Sequence, residues 1–305
     1  MNWFLIALLP PALWSVSNHF DKYLLSKYFK GDGVGTLMVF SSIIGVLLLP
    51  FIVLFHPEVI ASFDPKYLLI SLNGFFYILA VLPYFYALQK DEASIVVPLF
   101  QMTPVFSYFL SYLVLGETLK TIQIIGGLII IFGAVLISLD LTIHKKIKLK
   151  REVFFFMALS SLLYAVNFLF FKYFAIQVNF WVTSFWEYIG FAVFAFLLIV
   201  FVRVYREEFL KVMKTNRASV LTINGINEVI NIIAKASFNF VSLLAPITLI
   251  WIINGLQPFF VFFYGIILTL VFPKISRENI TKKALLQKIL AIVIMFAGVY
   301  LINRG

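Results

Sequence analysis

Long apolar runs separated by short polar segments dominate the chain. A helix needs about 20 apolar residues to cross the hydrocarbon core of a bilayer, and ten runs are long enough. They cover residues 2–20, 33–55, 67–88, 93–115, 121–140, 152–174, 180–202, 218–238, 243–272 and 284–303. Little of the chain is left for a soluble domain. The pattern therefore predicts an all-α integral membrane protein with ten transmembrane helices.

Composition agrees with this prediction. Charged residues make up 12% of the 305 residues, whereas soluble domains carry about 25%. The net charge is +10, but the basic residues lie in short loops, so we expect membrane lipids rather than nucleic acid as their neighbours. The chain has no cysteine and three widely spaced histidines, so we expect neither a metal nor another cofactor. Because Pro10-Pro11 interrupts the first run, we interpret that run as a helix rather than a cleaved signal.

The two halves of the sequence resemble each other. Val16, Phe20, Lys22 and Tyr23 recur 150 residues later as Val166, Phe170, Lys172 and Tyr173, and Asn73-Gly74 recurs 151 residues later as Asn224-Gly225. We therefore predict a first repeat over 1–140, a basic linker over 141–151 and a second repeat over 152–305. Because each repeat holds five spans, an odd number, the repeats must cross the membrane in opposite senses. Inverted repeats with a binding site between them are a recurring transporter plan.

Loop charge predicts the orientation. Lysine and arginine are concentrated in the loops that follow odd-numbered spans, including 140–152, 203–217 and 273–283. Basic loops stay in the cytoplasm. The bias therefore predicts that both termini lie outside.

Glu187 and Glu228 lie in the middle of apolar runs, where a charge is costly unless it faces a partner or a water-filled path. Glu228 belongs to a polar stripe with the spacing of one helix face, formed by Asn224, Asn227, Glu228, Asn231 and Lys235. The stripe predicts a lined cavity. The alternatives are hydrogen bonds that only bridge helices and, for Lys235, snorkelling to the interface.

Further candidate substrate contacts follow from the repeat and from the prolines. Tyr77 and Tyr84 are the repeat counterparts of Glu228 and Lys235, which predicts a cavity that is aromatic on one side and ionic on the other. The remaining candidates are Gln101, Asn167, Trp186, Trp251 and Asn254. Gln101 and Asn254 lie near Pro104 and Pro258, so their alternative role is to bond backbone groups that the prolines free.

Glu187 lies between Trp186 and Tyr188. Its carboxyl could carry a proton and couple transport to the proton gradient, or pair with an amine on the substrate. The alternative is a salt bridge to another helix, with Lys172 or Lys22 as the partner. Glu228 is the second candidate for proton coupling.

Short motifs give the chain a family resemblance. Each half opens with an aromatic-small pair followed by a lysine, and the first half carries a proline and a Gly-Glu pair. These residues are Trp14-Ser15 with Lys22, Tyr164-Ala165 with Lys172, and Pro104 with Gly116-Glu117. With the glycine-rich fifth span, they make the chain similar to the EamA type of the drug/metabolite transporter superfamily. The resemblance implies ten helices from two inverted five-helix repeats, with the third and eighth helices as cavity walls. The second half lacks the Gly-Glu pair, and family members usually have cytoplasmic termini.

We therefore expect a secondary active transporter of a small organic metabolite, such as an amino acid or an amine, that works by alternating access. Protons or the substrate gradient would supply the energy, since no nucleotide-binding loop occurs. We do not expect an enzyme. A flippase for a lipid-linked sugar stays open as an alternative, as does a membrane-embedded lipid-modifying transferase. The expected partners are a small-molecule substrate and membrane lipids, in a monomer or homodimer of a prokaryotic plasma membrane.

Overall fold

The computed structural model describes residues 3–28, 34–90, 96–138, 151–215, 217–271 and 281–304. These residues are 91% helical and contain no strand. The predicted linker 141–151 lies outside the described residues except for Arg151.

Thirteen α-helices are described. In the first half they are α1 (Trp3–Ala7), α2 (Leu9–Lys27), α3 (Val34–Phe55), α4 (Lys66–Lys90), α5 (Met102–Leu115) and α6 (Thr121–Ser138). In the second half they are α7 (Arg151–Gln177), α8 (Phe180–Phe201), α9 (Arg203–Thr215), α10 (Arg217–Ser242), α11 (Ile247–Asn254), α12 (Gln257–Val271) and α13 (Lys282–Arg304). Short 3₁₀ turns cover Pro57–Ile60 and Val97–Gln101.

Five helical stretches are long and apolar enough to cross a membrane. They are Lys66–Ala87, Arg151–Gln177, Phe180–Phe201, Ile247–Val271 and Leu285–Arg304. Three shorter apolar stretches cover Gly45–Phe55, Leu99–Leu115 and Thr121–Leu136. Large hydrophobic side chains such as Leu113, Phe201 and Leu286 project outward along these helices, as expected where lipid is the solvent.

One predicted loop is a helix instead. The segment 203–217 was expected to be a polar linker, but α9 occupies Arg203–Thr215. Its apolar side chains, including Tyr205 and Phe209, pack against the hydrophobic core, so the segment gains helical structure from one amphipathic face. On its exposed side, the Arg203 guanidinium donates to Glu207 at 2.6 Å and lowers the pKa of that carboxyl.

The ninth predicted span is broken into two helices. α11 ends at Asn254 and α12 begins at Gln257, just before Pro258. Proline cannot donate a backbone hydrogen bond and disrupts the turn that precedes it. Ser15 Oγ donates to the Gln257 carbonyl at 3.0 Å, and Asn254 Nδ2 donates to Gln257 Oε1 at 3.4 Å. These polar groups make the break tolerable inside an apolar bundle.

Glycines set the closest helix contacts. At Gly190 on α8, an added Cβ would lie 1.9 Å from the Ser71 carbonyl oxygen, and at Gly74 on α4 it would lie 2.4 Å from the Glu187 carbonyl oxygen. Gly126 on α6 and Gly298 on α13 face each other, and an added Cβ would lie 2.8 and 2.6 Å, respectively, from the partner's carbonyl oxygen. Residues without a side chain let the backbones of apolar helices meet, which is how helices associate when lipid offers no hydrophobic driving force.

Candidate functional site

A cavity of about 140 Å³, here called the central cavity, lies among the helices. That is about ten times the ~10–15 Å³ which a single water needs on this measure. Both halves of the chain contribute to its wall. The lining residues used below are Trp14, Ser17, Asn18, Asp21, Tyr77, Tyr84, Phe100, Gln101, Tyr164, Phe168, Tyr188, Phe191, Glu228, Asn231, Lys235, Trp251 and Asn254.

Seven of the residues proposed from the sequence meet in this wall. They are Tyr77, Tyr84, Gln101, Glu228, Asn231, Trp251 and Asn254. Glu228 is buried with 6% of its surface exposed. The helical spacing brings Glu228 and Asn231 to one face of α10, and α4 contributes Tyr77 and Tyr84 to the same cavity. The lining therefore includes both ionic and aromatic side chains.

Five proposed residues do not line the cavity: Asn167, Trp186, Glu187, Asn224 and Asn227. Trp186 packs instead against the Tyr67 ring at 5.3 Å between centroids. The Asn224 side chain is buried with no hydrogen-bond partner among the described residues. The other three, Asn167, Glu187 and Asn227, lie behind the wall and contact residues that form it.

Glu187 forms a buried ion pair with Lys235, at 2.9 Å between Oε2 and Nζ. Of the partners considered from the sequence, Lys172 pairs with Glu117 instead, and the side chain of Lys22 lies outside the described part of the structure. Both partners of the pair are almost completely buried, so the pair is retained only because further hydrogen bonds satisfy it. Asn167 Nδ2 donates to Glu187 Oε1 at 2.8 Å, and Asn73 Nδ2 donates to the same oxygen at 3.2 Å.

Lys235 is therefore not an interfacial lysine. Its ammonium lies 4.7 Å from the ring centroids of both Tyr77 and Phe168, with Phe171 and Phe191 slightly farther away. Ring faces attract a desolvated cation. The side chain lines the cavity while its charge is balanced by Glu187 behind the wall.

Asp21 is a lining residue that the sequence analysis did not single out. Asn227 Nδ2 donates to Asp21 Oδ1 at 2.7 Å, which joins α2 to α10. A signal for Asp21 does exist in the sequence, because Trp14, Asn18 and Asp21 follow the i, i+4, i+7 spacing of one helix face. Tyr164 was quoted only as part of a motif, and its position in the wall required the fold.

Lys172 has a different role from the one considered for it. It pairs with Glu117 and donates to the Ala245 carbonyl at 2.8 Å. Glu117 Oε2 also accepts from the Ile247 amide at 2.9 Å, at the first turn of α11. Gly116 ends α5 at φ +66°, a conformation that glycine adopts without strain. Gly116 thus ends α5, and Glu117 anchors the start of α11.

Several polar atoms of the wall are buried without a partner. Trp251 Nε1, Gln101 Oε1 and Asn254 Oδ1 have no hydrogen-bond partner among the described residues. An unpaired polar group costs free energy that a bound molecule or water can recover. These atoms therefore favour a polar occupant of the cavity.

Comparison with known proteins now decides the family. Residues 1–139 match the model of the EamA-like transporter family. The chain belongs to the drug/metabolite transporter superfamily. Members of the EamA-like family are transporters, and the helices and the family together identify an integral membrane protein. The resemblance stated from the motifs is confirmed.

Two further similarities are found. An uncharacterized protein of Methanocaldococcus jannaschii is 37% identical over 100 residues, which are 32% of this chain and 72% of that protein. A crystal structure of a protein with 17% sequence identity superposes with a TM-score of 0.67, over 98% of this chain and 95% of the other. At that identity the second similarity concerns the fold alone.

Proposed function

We propose that this EamA-like protein is a secondary active transporter of a small organic metabolite, such as an amino acid or an amine, and that it works by alternating access. The observation that carries the proposal is the central cavity, because its wall places Asp21, Glu228 and Lys235 between helices that are otherwise apolar. Ionisable groups at bilayer depth are costly and mark solute pathways. Aromatic rings and unpaired polar atoms complete a wall suited to an amphipathic solute.

The proposed architecture is ten spans in two inverted five-helix repeats. The packing supports it: α2 packs on α10 and α12, while its counterpart α7 packs on their counterparts α4 and α5. In addition, α6 packs on α13 and α3 packs on α8, which are pairs of counterparts. The family match ends at residue 139, next to the proposed boundary at 140. Exchanging the two halves therefore preserves the main helix contacts.

Proton coupling, if it drives transport, is better served by Glu228 than by Glu187. The Glu187 carboxylate accepts from Lys235, Asn167 and Asn73 and lies behind the wall, so the loss of its charge would leave a buried ammonium unbalanced. Glu228 lines the cavity, where a proton and a solute can both reach it. We propose the plasma membrane of a prokaryote as the location, supported by the relative in Methanocaldococcus jannaschii.

The proposal is tested with purified protein. Amino acids, amines, nucleosides, sugars and sugar phosphates are screened for an increase in melting temperature, since a ligand of the folded state stabilises it. The compounds that bind are then tested for uptake into proteoliposomes. We expect Glu228→Gln to fold and to lose uptake, whereas Glu58→Gln, outside the bundle core, keeps it. Full uptake by Glu228→Gln would contradict the role of this carboxylate, and binding without any uptake would contradict the transport function.

A further inference from the structure

Charge balance differs between two ionic groups of the cavity wall, Lys235 and Asp21. The Lys235 ammonium is balanced by Glu187, which lies behind the wall. Asp21 receives one hydrogen bond, from the neutral Asn227 amide, among the described residues. Its carboxylate charge is therefore not balanced by a described basic group. A charge in such a place is costly unless a counter-charge reaches it, and the cavity is the side from which one can arrive.

We propose that Asp21 binds the ammonium group of an organic amine that occupies the central cavity. The inference rests on the proposed transport function, and it names the substrate class of that same site. A charge-assisted hydrogen bond from an ammonium to a carboxylate is about twice as strong as a neutral one. The bond from Asn227 holds Oδ1, so the carboxylate is oriented before the amine arrives.

The surroundings of Asp21 fit an amine with an aromatic or apolar body. The rings of Tyr84, Phe100, Tyr164 and Trp251 follow one another along the wall, with neighbouring centroids 5.0, 6.0 and 6.4 Å apart. Tyr84 and Tyr164 line the same cavity as Asp21. Ring faces stabilise an organic cation and pack against its apolar part.

The Trp251 indole gives the wall a second polar group that a ligand can bind. Trp251 is buried with 6% of its surface exposed, lines the cavity, and its Nε1–H has no acceptor among the described residues. A buried donor without an acceptor is costly. An amine that also carries an acceptor oxygen would satisfy Trp251 while its ammonium binds Asp21.

The test compares three probes that share a phenyl body: 2-phenylethylamine, 2-phenylethanol and 3-phenylpropionate. Binding to the full-length protein in detergent is measured by the rise in melting temperature with probe concentration. We expect only the ammonium probe to stabilise the protein. Asp21→Asn should weaken its apparent affinity by about tenfold or more, the loss of one charge-assisted bond. Asp64→Asn is the matched control, because Asp64 pairs with Lys66 outside the cavity, and it should bind like the wild type.

A second measurement uses the unmodified protein, in case Asp21→Asn does not fold. A hydrophobic carbodiimide labels protonated carboxyl groups, and mass spectrometry reports the labelled fraction of Asp21. We expect 2-phenylethylamine to protect Asp21 and 2-phenylethanol not to. Equal labelling of Asp21 with both probes overturns the proposal. So does an affinity for the amine that is the same in Asp21→Asn as in the wild type, and so does a lack of amine binding to the wild type.

Failure of this inference is distinguishable from failure of the transport function. If solute uptake is measured and Asp21→Asn leaves it unchanged, the protein is a transporter and the Asp21 subsite is wrong. If Asp21-dependent amine binding is measured and no probe crosses the membrane, the subsite stands and the transport function is wrong.

Discussion

The same dipeptide occupies two different environments in this protein. Asn73-Gly74 on α4 packs tightly against α8, where an added Cβ at Gly74 would lie 3.1 Å from the Gly190 Cα. Its repeat counterpart, Asn224-Gly225 on α10, has no such neighbour, because no described atom lies within 4 Å of a Cβ added at Gly225. Asn73 donates two hydrogen bonds, whereas the Asn224 amide has no partner among the described residues.

The difference shows that two similar sequences are packed unequally within one fold. α4 is held to α7 and α8 by close backbone contact and by polar bonds, while the Asn224-Gly225 surface of α10 has neither among the described residues. Under alternating access, an unequal pair of counterparts is what a single state of the cycle should contain. The Asn224-Gly225 surface of α10 is then free to form helix contacts in another state of the cycle.

The largest expected effect comes from filling the tight contact. In Gly190→Ala the new Cβ would clash with the Ser71 carbonyl, so α4 and α8 must separate. Overpacking of this kind costs about 3 kcal/mol or more. Gly225→Ala should change stability by no more than about 0.5 kcal/mol, since it enters open space. Thermal unfolding in detergent measures both, and an equal loss in the two variants would contradict the asymmetry.

The next effect concerns the ion pair behind the cavity wall. Glu187→Gln leaves the Lys235 ammonium buried without its counter-charge, which costs about 3–5 kcal/mol. Adding Lys235→Met removes that ammonium. The double variant should therefore lose less stability than the two single variants lose in total. A double-mutant cycle measures the coupling between the two sites. Strict additivity would mean that the pair does not stabilise the α8–α10 junction.

The smallest effect separates the two asparagines. Asn73→Leu removes both donated bonds and leaves the Glu187 carboxylate with one fewer donor, at a cost of about 1–3 kcal/mol. Asn224→Leu removes an amide without a described partner, so it should be neutral or stabilising. Chemical denaturation of both variants checks the order. Loss of transport by Asn224→Leu at unchanged stability would show that another state uses this amide.

Much of this arrangement was accessible from the sequence. The apolar runs predicted an all-α membrane protein, and the described residues are helical with five stretches long enough to span a membrane. The stripe on α10 pointed to Glu228 and Asn231, and the repeat pointed to Tyr77 and Tyr84; all four line the central cavity. Helical spacing gave these candidates because it alone decides which residues of one helix point the same way.

Partners on different helices could not be read in the same way. Spacing identified Glu187 as costly but could not choose Lys235 over Lys172, since the choice depends on which helices pack together. The segment 203–217 is polar in composition, and only contact with the core shows that α9 is a helix there. Asp21 was overlooked because its place near a helix end resembles that of an interfacial residue.

By itself, the sequence determined a membrane protein built from apolar helices, with a family resemblance carried by short motifs. Burial in lipid requires every spanning backbone to be hydrogen-bonded internally, so composition decides the class of structure. The tertiary structure decided which charges are balanced and which repeat is tightly packed. Those outcomes depend on the distances between side chains on helices that are far apart in sequence, and a local sequence pattern does not contain those distances.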